Sequence, residues 1–172
     1  AAAGATGSPA GGPPPMVAEH TGCPPPPAPT WPQDLDAEIA AAESSGDPGV
    51  RQYRALLQDM KDGKYPLVLV QFNKLQRSNP KSPLIEPAEY FAANALFEMK
   101  DFGRAILQFN DLVLRYPKGK YASQSLLRQA QAFLNNGNDQ LDAKLTLDTL
   151  VNKHADAPEV PAAKAMLNCI AS

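Results

Sequence analysis

A chain of 172 residues has room for one ordinary domain, or for a smaller one with an appended segment, and its composition favours the second. Charge divides at residue 50: six acids and no Lys or Arg precede it, while 16 bases and 12 acids follow, so a net −6 arm leads into a net +4 remainder. That small excess, spread over many residues, excludes the dense basic stripe of a nucleic-acid binder, and no run approaches the ~18 apolar residues of a membrane-spanning helix.

The arm, residues 1–49, holds 11 of the 18 prolines among Ala and Gly, and buries too little apolar surface to offset its ordering entropy. Pro24 to Pro27, with Pro29 and Pro32, favour an extended polyproline helix. That stretch reads as a spacer, as a ligand for a partner, or as an arm that folds back with Trp31, the single tryptophan, in the groove of its own domain. A short acidic helix over 34–44 is expected before the Gly46-Asp47-Pro48-Gly49 break. The chain starts at Ala1 without a basic and apolar leader, which fits a mature form after signal removal or a cut boundary. Gly22-Cys23 resembles a lipoprotein acceptor, but His20 stands where an aliphatic residue is expected, so lipidation at Cys23 is not expected. Cys23 and Cys169 allow either a disulfide suited to an oxidising compartment or two thiols, the one at Cys169 buried. With His20 and His154 they make no metal site, and no cofactor is expected.

From residue 50 the apolar period is helical, and predicts helices at 50–62, 65–78, 86–100, 102–115, 121–135, 139–153 and 159–170. These positions repeat. Asn79-Pro80-Lys81-Ser82 returns as Tyr116-Pro117-Lys118-Gly119 after 37 residues, with a weaker echo at His154 to Ala157 after 38. Gly63, Lys100 and Gly137 keep the same step at the turns, as does Tyr65 with Phe102, and Phe72, Phe109 and Leu147 follow at nearly the same interval. Each unit is thus a helical hairpin that cannot bury both faces alone, and Ala93, Ala105, Ala130 and Ala143 are small enough for neighbouring helices to approach. The repeats fall at about 50–82, 86–119 and 121–157, and 159–170 reads as a capping helix.

The small residue inside the first helix (Ala93, Ala130), the turn glycine (Gly63, Gly137), the aromatic opening the second helix (Tyr65, Phe102) and the closing proline (Pro80, Pro117) resemble a tetratricopeptide repeat (TPR). The stretch from Ala88 to Lys118 is similar to the C-terminal domain of YbgF/CpoB-type coordinators of the Tol-Pal system, and less closely to the TPR lipoprotein of the outer-membrane barrel-assembly machinery. The resemblance implies an all-α, right-handed superhelical stack of about three hairpins, with a periplasmic location in the Gram-negative cell envelope. It also implies peripheral association with the outer membrane through partners. Partner-binding positions carried over onto this sequence are Tyr53, Leu57, Met60, Lys61, Tyr90, Asn94, Phe97, Leu127, Gln131 and Asn135, which would line a concave groove for a peptide or helix. The Lys and Asn clamp for a C-terminal carboxylate is not expected, because Tyr53, Leu57, Phe91, Gln124 and Arg128 occupy its positions.

No nucleophile–base pair, paired catalytic carboxylates or phosphate loop is visible. The expected function is a non-catalytic protein–protein adaptor of an envelope complex. The alternative is a structural subunit held mainly through its Pro-rich arm.

Overall fold

The computed structural model describes residues 31–170, the first four as backbone only. The rest of the arm, with its main proline run and Cys23, lies outside the described residues. Within them the protein is all-α: α1 (Trp31–Ser44), α2 (Val50–Lys61), α3 (Tyr65–Ser78), α4 (Ile85–Glu98), α5 (Phe102–Arg115), α6 (Ala122–Asn135), α7 (Gln140–Lys153) and α8 (Val160–Ile170). From α2 onward every helix begins and ends within two residues of the position expected from the apolar period. α1 starts three residues earlier than expected, at Trp31. Pro32 explains the difference: its missing N–H has no partner to lose in a first helical turn, so a residue read as polyproline extends the helix.

The repeat is written in the backbone as well as in residue types. Asn79, Tyr116 and His154 end α3, α5 and α7 with nearly the same dihedrals, φ −138°, −127° and −128°, ψ 66°, 61° and 46°. Each donates its N–H to the carbonyl four residues back, at Leu75, Leu112 and Leu150. Each then accepts from the residue three further on, Ser82, Gly119 and Ala157. A following proline drives the first two out of the helical region, and His154 takes the same shape without one. At the turns inside the hairpins, Gly63, Lys100 and Gly137 all have left-handed backbone, φ 70°, 61° and 80°. Asp101 and Asp139 then start α5 and α7 by accepting the backbone N–H of Arg104 and Asp142.

Each helix from α2 to α8 packs on the next, and α4 also touches both α2 and α6. These three lie side by side as an inner row, with Ala93 and Ala130 fully buried where they approach. The outer row of α3, α5 and α7 is looser. A cleft of about 430 Å³ lies between α3 and α5, lined by residues such as Phe72, Gln76, Leu107 and Arg115. Apolar burial falls into two clusters, one under α1 to α5 and Tyr121, the other under α6 to α8, where Val160, Ala163 and Met166 close the end.

Lys100 supplies a stability test, because an L side chain in left-handed backbone costs roughly 1–2 kcal/mol that glycine avoids, less the glycine entropy of about 0.5–1 kcal/mol. Lys100→Gly should raise stability by up to about 1.5 kcal/mol and Gly137→Ala should lower it by about 1 kcal/mol, shifts of ~2–4 °C per kcal/mol in a thermal melt. Equal melting temperatures for the two variants would refute this account of the turns.

Candidate functional site

The inner row carries its side chains in columns set by the 37-residue step: Tyr53, Tyr90 and Leu127 in one, Leu57, Asn94 and Gln131 in the next. Of the positions singled out for partner binding, Tyr53, Leu57, Met60, Tyr90, Asn94, Leu127 and Gln131 are buried. Phe97 is half-buried, and Lys61 and Asn135 are exposed. Seven of the ten expected contact positions are therefore packed inside the domain, and three are within reach of solvent. Trp31 opens α1, but its side chain lies outside the described residues.

Arg128 of α6 organises the middle of this face. Its Nε donates to Asn94 Oδ1 at 2.9 Å, Nη1 to Gln131 Oε1 at 2.9 Å, and Nη2 to Glu98 Oε1 at 3.3 Å. The guanidinium also lies 3.9 Å from the centre of the Phe97 ring, which in turn meets Phe102 edge-on. Burial lowers the Arg128 pKa, while Tyr90 and Glu98 hold it up. Such charge-assisted bonds are worth about 1.5–3 kcal/mol each when one partner is ionised, enough to justify a cation that is 8% exposed. Asn94 is oriented by donating to the Tyr90 carbonyl at 2.8 Å. Gln131 Nε2 has no hydrogen-bond partner among the described residues. The one cation among the carboxylate-clamp positions is thus turned inward, toward its own helices.

α1 crosses the N-terminal part of the same face. Its Glu38 accepts from Tyr53 of α2 at 3.3 Å, and from Tyr121 at 3.2 Å and Lys120 at 3.1 Å, both at the entry to α6. Glu38 thus links α2 to the turn before α6, whose Tyr121 stacks on Tyr90 of α4 with centroids 4.8 Å apart. Burial, reinforced by Glu38, raises the pKa of Tyr53 and Tyr121, and burial pushes Tyr90 up to about 12, so all three phenols stay protonated near neutrality. Two further α1 acids pair with the same domain: Glu43 with Arg54, and Asp36 with Lys61 at 3.4 Å. These pairs are exposed and worth about 0–1 kcal/mol each. Leu35, fully buried, adds roughly 1.5–3 kcal/mol, and Ala42 and Ile39 contribute less.

The sequence reading missed Glu38, Lys120 and Tyr121, and placed Arg128 only in a clamp that is not formed. A signal was present for Glu38, since an acidic arm beside a basic domain invites such pairing. Cys169 in α8 is disulfide-bonded, so of the two alternatives for the cysteines the free thiol at Cys169 is not the one found. No family model matches this sequence, and no curated protein matches it. Among the described residues, no cluster of three or more His, Cys, Asp or Glu is placed to hold a metal ion, and no helix is long and apolar enough to cross a membrane.

Glu89 of α4 is fully buried and accepts from Gln108 at 2.8 Å and Arg115 at 2.5 Å, both on α5. Desolvation raises its pKa, and Arg115 and Gln108 offset this only in part. A raised folded pKa means the native state binds this proton more tightly than the unfolded chain, so the contribution is full below about pH 4 and is lost as pH rises through the folded value. Glu89→Gln removes that loss. The urea midpoint of the variant should therefore gain on the wild type as pH rises above about 4; a constant difference would show that Glu89 titrates alike in both states.

Proposed function

We propose that this chain is a TPR protein, a right-handed superhelical stack of about three hairpins with a capping helix, that acts as a non-catalytic adaptor. Its partner is a peptide or helix of another cell-envelope protein, held on the face of α2, α4 and α6. The observation that carries this reading is that the face already meets a helix: α1 packs on α2 and its Glu38 bridges Tyr53 of α2 and Tyr121 before α6. Two further features support it. The hairpin turns recur every 37 residues and the helix ends after 37 and 38, as stacked repeats require. Lys61 and Asn135 are exposed and Phe97 half-buried, so part of this face stays within reach of a ligand.

The periplasm suits this reading because the disulfide at Cys169 persists in an oxidising compartment. Association with the outer membrane then runs through partners rather than through a span of the described helices.

A photo-reactive benzophenone amino acid placed in turn at Lys61, Asn135, Leu114 and Lys153 tests the site, since all four are exposed, the first two beside the inner face and the others on the outer helices. In cells, one protein adduct shared by positions 61 and 135 and absent at 114 and 153 is expected. Adducts confined to the outer positions, or none at any position, would refute the adaptor reading.

A further inference from the structure

Three places outside the Arg128 network hold unused chemistry: the outer cleft beside α5, the buried Glu89, and the contact between α1 and the inner face. The contact of α1 carries the most, because it shows what the face accepts. From the charge and register of that contact we infer that the site selects an acidic amphipathic helix, and that α1 is a resident copy of the pattern which a partner helix must displace. The inference rests on the adaptor reading and names the class of partner.

The chemistry of the occupant is legible in α1. Leu35, Ile39 and Ala42 fall four and three residues apart, so they share one helical face, and that face is packed on the domain core. Glu38, between Leu35 and Ile39, is the polar centre of the contact and engages two buried phenols and Lys120. Around it the polarity is uniform. Asp36, Glu38 and Glu43 meet Lys61, Lys120 and Arg54, with every acid on α1 and every base on the domain. A partner helix needs the spacing Leu-x-x-Glu-Ile-x-x-Ala and a negative charge at the flanks, and a basic or neutral helix would leave Tyr53 and Tyr121 facing no acceptor.

The contact is also built to open. The two phenol bonds are longer than usual for O–H donors, and the three ion pairs are solvent-exposed. α1 joins α2 through residues 45–49: Gly46 takes φ 67° with open space around it, while Asp47 accepts from Ser82 at 2.8 Å and Gly49 packs beside Leu75, so the link is anchored from residue 47 onward and opening hinges at Gly46. Among the helices α1 packs chiefly on α2, whereas α4 packs on four others. A resident helix held this way lowers the apparent affinity for any competitor by the fraction of time the site stands open.

The experiment uses the full chain and a fluorescein-labelled peptide of residues 31–45. Native-state hydrogen exchange on the wild-type chain should show α1 amides exchanging about tenfold or more faster than those of α4, in an opening that leaves α4 protected. Glu38→Lys in the chain evicts α1, so this variant should bind the peptide about tenfold or more tighter than the wild type by fluorescence anisotropy. The same peptide carrying Glu38→Lys should lose that binding. Exchange of α1 at the rate of α4 would make it a fixed core helix and overturn the proposal, as would a folded Glu38→Lys chain that ignores the peptide. A wild-type dimer exchanging α1 between copies would overturn the choice of a partner helix as occupant. Should Glu38→Lys fail to fold, the exchange rates of the wild type decide alone. Peptide binding without a cross-linked partner at positions 61 and 135 would remove the adaptor reading and leave the helix specificity standing.

Discussion

Arg128 is the side chain on which the arrangement of the described helices most depends. It lies at the seam between two apolar clusters, one spanning α1 to α5 and one spanning α6 to α8. Apolar contact alone is non-directional and would let the second cluster slide along the first. A planar guanidinium with donors aimed at Asn94, Gln131 and Glu98 removes that freedom, because the fork geometry is satisfied at one register of α6 on α4. Gln129, on the same helix, adds a second polar lock by donating to the Ile106 carbonyl of α5 at 3.2 Å. Burying a cation here costs desolvation, which the lowered Arg128 pKa records, and the stacked Phe97 ring offsets part of it.

The same residue shapes the inner face. By drawing Asn94 and Gln131 into its own bonds, Arg128 turns two of the three residues of one column from ligand-facing groups into floor. The accessible remainder is the rim: Lys61, Asn135 and the half-buried Phe97. On the proposed reading, recognition is divided between a preformed floor that excludes water and a rim that steers, with only the rim free to exchange partners.

Most of the helical framework was legible in the sequence because many of its boundaries have a local cause. A proline after Asn79 and Tyr116 stops a helix, a left-handed residue at 63, 100 and 137 turns the hairpin, and Asp101 and Asp139 cap the N-termini of α5 and α7. Lys100 shows the limit of residue type as a signal: the 37-residue step places it in the same backbone state as Gly63 and Gly137, although no side-chain rule selects lysine there. The site was less legible. Tyr53, Tyr90 and Asn94 belong to the right face, yet repeat register says which face a residue occupies and not whether a neighbour covers it. Covering is a long-range fact. Glu38 is 82 and 83 positions from Lys120 and Tyr121, and no periodicity links them.

The charge division between arm and domain takes on a physical meaning once α1 is placed. Acids gathered before residue 50 and bases gathered after it draw the two segments together over a range limited to roughly 8–10 Å in physiological salt. Attraction of that range brings α1 to the inner face but does not hold it tightly, since exposed pairs contribute little once water and salt compete. Burying these carboxylates would have cost desolvation, as the raised pKa of Glu89 beside Arg115 shows within the domain. α1 instead keeps three acids in reach of solvent and buries Leu35 and Ala42. Apolar burial thus supplies most of its adhesion and charge supplies its address. A partner of the same pattern loses nothing in steering and needs only a larger apolar contact to take the place of α1.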